Sequence, residues 1–235
     1  MTEAIVFAGI ADKNPSLFRR LRVALGDPAA WFQVNDLRIA LVRDIERERV
    51  EKFALADRVT CAADFAGGKK LDADRETATA QALALALVSH QVSLVKVDRS
   101  LPMIYAHHLQ EAGLRLQYDP AQGVLDRRVK SDEEIEWMAK AQSVTESVME
   151  QICGTIARSR PDASGVLLDD ASPLTSERVR AMAASLFMAR GYSMPHGAII
   201  ATTPHVADCH HAGEGPLVTG QPVVVDLFPF DDATR

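Results

Sequence analysis

The sequence predicts two domains, an α/β domain followed by an α+β domain. Three observations carry this reading. Strand-like and helix-like runs alternate as far as Tyr118. The pattern breaks between residues 119 and 131, where Asp119-Pro120 and Gly123 interrupt it. Beyond the break, two long helical periodicities precede two strand-like runs. A length of 235 residues holds either one large domain or two of about 100–130 residues each, with enough chain for a substantial core.

The elements follow in order. Asn14 is placed to cap a helix with Pro15 at its first position; Leu17, Leu21 and Leu25 share a face, and Gly26 ends it. Trp31 to Val34 and Arg38 to Val42 read as strands of a hairpin turning at Asn35-Asp36. A helix is expected over Ile45 to Ala56, and a second, rich in alanine and leucine, over Arg75 to His90. Ser93 to Val97 reads as a buried strand. Ser100 and Pro102 then open a helix containing Ile104, Tyr105, His108 and Leu109, which Gly113 closes before a strand over Leu114 to Tyr118. In the second domain Ser131 and Glu134 form a capping box for a long helix with Trp137, Ala141, Val144, Val148 and Ile152 at helical spacing. Ser176 to Arg190 is a further helix, with Val179, Met182, Leu186 and Phe187 inward and Gly191 at its end. Ala198 to Thr202 and Val223 to Phe228 are the closing strands, joined by a loop rich in histidine and glycine.

Composition narrows the function classes. The chain is 47% hydrophobic and 25% charged, the profile of a globular protein. Its net charge of -6, with no basic stripe, argues against a nucleic-acid partner. Cys61, Cys153 and Cys209 are widely spaced and odd in number, which suits a reducing compartment better than a disulfide framework. Met1 to Ile10 lack the features of a secretory leader. The apolar run Ala82 to Val88 falls far short of the about 20 residues a membrane span needs. These features give the expectation of a cytoplasmic protein with no membrane partner.

Two clusters offer chemistry. The first is His205-Val206-Ala207-Asp208-Cys209-His210-His211-Ala212-Gly213, and the second is Val223-Val224-Val225-Asp226-Leu227-Phe228-Pro229. Asp226 stands in an apolar run that should be buried, where a lone carboxylate is costly unless compensated. Two readings stand for it: a ligand to a divalent cation, or a cap on a turn before Pro229. His210 and His211 are either a ligand or acid/base pair, or plain loop residues. His107 and His108 read as structural residues of a core-facing helix, while His196 stands before a strand where a cleft wall is conceivable. Cys209 beside His210 does not make a nucleophilic dyad, because adjacent residues rarely face one another. No GxSxG, HExxH, P-loop or GxGxxG pattern is present in the required context.

Taken in order, Arg127-Arg128-Val129-Lys130-Ser131-Asp132-Glu133-Glu134-Ile135, then Ala201 to Gly213, then Leu217-Val218-Thr219-Gly220-Gln221-Pro222-Val223-Val224-Val225-Asp226 resemble the creatinase/aminopeptidase P/prolidase family of pita-bread metallopeptidases. The resemblance implies a creatinase-type N-terminal α/β domain over residues 1–126 and the first part of an α+β pita-bread catalytic domain over residues 127–235. It implies a metal-dependent Xaa-Pro-type aminopeptidase or dipeptidase acting on peptides with proline after the first residue, and a homodimer. His210 matches the family's active-site histidine, with Cys209 in place of the usual proline before it. Asp226 matches the first of the ligands to two divalent metal ions (Mn, Co or Zn), whose bridging hydroxide attacks the scissile carbonyl.

The sequence departs from the family at its end. The family's later His and two Glu ligands are absent, and Asp232-Ala233-Thr234-Arg235 resembles the second-ligand motif at shortened spacing. The expectations are therefore an incomplete metal site, an unfinished sheet in the second domain and an inactive 235-residue chain. Two alternatives stay open: a non-catalytic binding or dimerisation module, and a creatinase-like C–N hydrolase working without metal.

Overall fold

The computed structural model describes residues 2–234, and the chain divides into two compact units, Met1–Lys130 and Ser131–Arg235. In the first unit β1 (Thr2–Ile10), α1 (Pro15–Leu21), β2 (Pro28–Val34), β3 (Leu37–Val42), α2 (Arg47–Glu51), β4 (Arg58–Cys61), α3 (Ala62–Ala66), α4 (Arg75–Ser89), β5 (Val92–Val97), α5 (Met103–Glu111), β6 (Arg115–Tyr118) and α6 (Leu125–Arg128) follow one another. The six strands form one mixed sheet in the order β4-β3-β2-β1-β5-β6. The hairpin β2–β3 turns at Asn35, whose φ of 51° is the left-handed conformation that asparagine tolerates, and pairs Val34 with Leu37.

Strand β1 runs antiparallel to β2 and parallel to β5 at the centre of the sheet. Its side chains alternate between two cores. Val6 and Ala8 join Phe32, Leu83, Leu87, Tyr105 and Leu109 on one face, while Phe7 joins Leu17, Leu21, Trp31 and Val42 on the other. Both faces being covered, the strand reads as a continuous apolar run, so the alternation that marks half-buried strands is missing from its sequence.

Two expected helices are shorter here. Asn14 caps α1 by accepting hydrogen bonds from the amides of Ser16 and Leu17, but the helix ends at Leu21, not at Gly26. Arg22 adopts the left-handed conformation and donates its amide to the Phe18 carbonyl, closing the helix one turn early. Leu25 is buried all the same, outside the helix. The helix expected over Ile45 to Ala56 contracts to a 3-10 turn at Asp44–Glu46 and α2. Leu55 leaves it to bond the Arg20 carbonyl through its amide, and its own carbonyl accepts from Trp31 Nε1.

The second unit comprises α7 (Asp132–Arg158), β7 (Arg160–Pro161), β8 (Leu167–Asp169), β9 (Ser172–Pro173), α8 (Ser176–Met188), β10 (Tyr192–Ser193), β11 (Ala198–Ala201), β12 (Val224–Leu227) and β13 (Phe230–Asp231). The capping box at the start of α7 is formed: the Glu134 amide donates to Ser131 Oγ and the Ser131 amide donates to Glu134 Oε2. Val148 and Ile152 of α7, Val179, Ala183 and Phe187 of α8, Ile200 and Leu227 build the core. Burying a side chain such as Phe187 stabilises the unit by about 1.5–3 kcal/mol. The small sheet β7-β8-β9, placed between the two helices, was not expected from the sequence. Among the described residues no helix is long and apolar enough to cross a membrane.

Candidate functional site: the ribbon and its histidine loop

Strands β11 and β12 form a two-stranded antiparallel ribbon that pairs Ala198 with Leu227, Ile199 with Asp226, Ile200 with Val225 and Ala201 with Val224. Period-two alternation decides which side chains face the core. Ala198, Ile200 and Leu227 are buried there. Asp226 therefore lies on the outward face and is exposed, and Val224 is 42% exposed. This corrects the expectation of a buried strand around Asp226. The run of three valines reflects strand propensity more than burial, because β12 has β11 as its hydrogen-bonded neighbour in a two-stranded sheet. The carboxylate of Asp226 needs no compensating partner in water.

The connecting loop is fixed by backbone contacts. Gly213 adopts φ of +84°, and a Cβ added there would stand 1.8 Å from the Ile200 carbonyl oxygen, so only glycine fits. Ile200 donates its amide to the Ala212 carbonyl at 3.0 Å. From α8, Arg180 Nη1 donates to the carbonyls of Ala212 at 2.6 Å and Gly213 at 2.7 Å. Glu177 Oε1 accepts the Gly215 amide at 3.1 Å. Its carboxyl is held below the usual range by hydrogen bonds to its own amide, the Thr175 hydroxyl and the Gly215 amide. Sequence reading missed both Arg180 and Glu177, since a grip on backbone carbonyls or amides more than 30 positions away leaves no local signal.

Each candidate side chain now has a place. His210 is exposed in the loop, its amide donating to Asp208 Oδ1 at 2.9 Å. His211 is half-buried, and its Nδ1 accepts the Gly213 amide at 3.0 Å. The His205 and His211 rings stack at 4.0 Å between centroids and 5° between planes, with Glu214 Oε1 3.6 Å from His205 Nε2. His196 is exposed. His107 is exposed on α5, against the expectation of a core-facing residue, while His108 is half-buried. Asp232 accepts a hydrogen bond from Ser193 Oγ at 2.8 Å, and Arg235 lies outside the described residues.

The ribbon thus carries His210 in its loop and Asp226 on its return strand, although among the described residues no hydrogen bond or ion pair joins the two. The residues present do not fit a dinuclear metal centre. Among the described residues the groups of three potential ligands within 4.8 Å are His107/His108/Glu111 and His205/His211/Glu214, and neither contains Asp226 or Asp232.

A scan of family models and a search of curated sequences return no match. Solved structures do match. The prolidase from Pyrococcus horikoshii OT3 aligns over 96% of this chain and 56% of its own, at 17% identity and a TM-score of 0.69. The Xaa-Pro dipeptidase from Bacillus anthracis aligns over 95% and 55%, at 14% identity and a TM-score of 0.72. The X-Pro aminopeptidase from Thermotoga maritima MSB8 aligns over 96% and 58%, at 12% identity and a TM-score of 0.70. The chain has the fold of prolidases and Xaa-Pro aminopeptidases over nearly all of its own length. It spans little more than half the length of the solved chains it matches.

Proposed function

We propose that this chain is a portion of an Xaa-Pro-type metallopeptidase, carrying the substrate-facing histidine His210 and one metal-ligating carboxylate, Asp226. The observation that carries the reading is the β11–β12 ribbon. It presents an exposed carboxylate, unpaired among the described residues, and an exposed histidine on one supersecondary unit, within a chain that has the prolidase fold. The intact enzyme would hold two divalent ions, of Mn, Co or Zn, and act on peptides with proline after the first residue, as a cytoplasmic homodimer. The 235-residue chain taken alone is proposed to be inactive, because among the described residues no group of three potential ligands includes Asp226.

The test has two arms. The purified 235-residue chain, incubated with Mn2+, Co2+ or Zn2+ and an Xaa-Pro dipeptide, is expected to show no hydrolysis; chelator-sensitive turnover would overturn the inactivity. The longest polypeptide its gene encodes is expected to hydrolyse the same dipeptide and to lose that activity with chelator and in Asp226→Asn. Absence of activity there would favour a non-catalytic binding or dimerisation module, a reading that the isolation of Asp226 from both ligand groups also favours. Turnover that chelators leave untouched would favour C–N hydrolysis without metal.

A further inference from the structure

Helix α5 carries His107, His108 and Glu111 at positions i, i+1 and i+4. Residues three and four apart are neighbours on a helix, so Glu111 reaches both imidazoles. Glu111 Oε2 lies 3.3 Å from His107 Nε2 and 3.3 Å from His108 Nδ1. One ligand atom from each of the three lies within 4.8 Å of the others. Both Glu111 separations are compatible with the edge of a tetrahedron of nitrogen and oxygen ligands around zinc, about 3.3 Å given metal–ligand distances of about 2.0–2.1 Å.

Ring orientation separates this cluster from the other histidine pair. The His107 and His108 rings stand 5.0 Å apart at 61°, so their in-plane lone pairs point along different directions that can meet beside Glu111. The stacked His205 and His211 rings are parallel, and two in-plane lone pairs on parallel stacked rings do not converge. The Nδ1 lone pair of His211 is moreover already taken by the Gly213 amide.

We infer that His107, His108 and Glu111, all of the first unit, form a site for one divalent transition-metal cation of the zinc kind, built without His210 or Asp226. Two imidazoles and one carboxylate suit zinc and its neighbours, whereas magnesium and calcium prefer an all-oxygen shell. Three protein ligands leave a coordination position for water. His108 and Glu111 also line a surface cavity of about 330 Å³, shared with Lys69 and Lys70, through which solvent reaches the cluster. The two ammonium groups oppose a dication, so binding is expected to be weaker than at a closed structural zinc site. Bound, the ion would tie together side chains across the last turn of α5.

The test is calorimetric titration of the 235-residue chain with Zn2+, with Mg2+ in parallel. Saturable binding of one Zn2+ at this site and no Mg2+ binding is expected. Glu111→Gln and His107→Ala should each weaken it by about tenfold or more, at least the loss that removing an outer partner of a metal ligand causes. His211→Ala and Asp226→Asn should leave it unchanged. His107 and Glu111 are both 60% exposed, so the variants fold, which circular dichroism verifies. No saturable Zn2+ binding, equal binding of Mg2+, or full affinity in His107→Ala would overturn the inference. Loss of binding in Asp226→Asn alone would also overturn it, and would place the ion at the ribbon that the proposed function concerns.

Discussion

Asp226 faces Ile199 directly across the β11–β12 ribbon, and the pair lies on the side of the ribbon turned away from the core. An apolar cross-strand partner supplies the carboxylate with neither a hydrogen bond nor a counter-charge. Among the described residues the side chain is thus placed by the register of the ribbon, with no hydrogen-bond or ion-pair partner.

Asp226→Asn should therefore change stability by less than about 0.5 kcal/mol, the range of surface substitutions without a named partner. Urea unfolding of the second unit, followed by Trp137 fluorescence in a Trp31→Phe background, checks this. A loss above about 1 kcal/mol would reveal a structural partner for the carboxylate and weaken its assignment to function.

The loop that carries His210 should depend on Gly213 far more than on Gly215. Both have positive φ, but a Cβ at Gly213 would meet the Ile200 carbonyl at 1.8 Å, while nothing stands within 4 Å of one at Gly215. Gly215→Ala should cost about 1–2 kcal/mol for its left-handed backbone alone. Gly213→Ala should cost about 3 kcal/mol or more, since the backbone of β11 must move as well. Equal losses in the same urea measurement would contradict this account of the loop.

Tyr105 is fully buried between α4 and the sheet, and among the described residues its hydroxyl has no hydrogen-bond partner. Burial raises its pKa well above the ordinary tyrosine value. Removing an unsatisfied buried hydroxyl relieves its desolvation cost. Tyr105→Phe should therefore be neutral or stabilising by up to about 1 kcal/mol, whereas Tyr105→Ala should cost about 3–5 kcal/mol through the cavity it leaves. A clear loss in Tyr105→Phe would mean that the hydroxyl is bonded to water.

Arg38 and Asp57 form a forked pair, with Arg38 Nε at 3.1 Å and Nη2 at 2.8 Å from the carboxylate, and the Arg38 amide at 2.8 Å. The Arg38 side chain first, and its amide second, hold the Asp57 carboxyl at about 2 against an ordinary 3.8. The folded value lies below the unfolded one, so the pair stabilises the fold above pH 3.8 and loses that contribution as pH falls toward 2. A carboxyl NMR titration should place the Asp57 midpoint near 2, and Arg38→Gln should return it toward 3.8. A wild-type midpoint at the ordinary value would show that the fork does not persist in solution.

Much of the fold was legible because its signals are local. Asn14-Pro15, Asn35-Asp36 and the Ser131/Glu134 box act within a few residues, and all three formed. Strand β1 was missed because burial on both faces removes the alternation by which strands are recognised. The early end of α1 was missed because the left-handed turn falls on Arg22, a residue that does not announce it.

The sequence by itself determined the α/β then α+β order, the acidic composition without a basic stripe, and the two clusters of chemical residues. These depend on periodicity, capping and composition, which are properties of neighbouring positions. Tertiary structure alone decided that Asp226 faces outward and that Arg180 and Glu177 hold the histidine loop, whereas the grouping of His107, His108 and Glu111 follows from local helical spacing. The first two outcomes turn on strand register and on contacts between residues distant in sequence. Composition and local pattern do not encode such relationships; packing against the rest of the chain does.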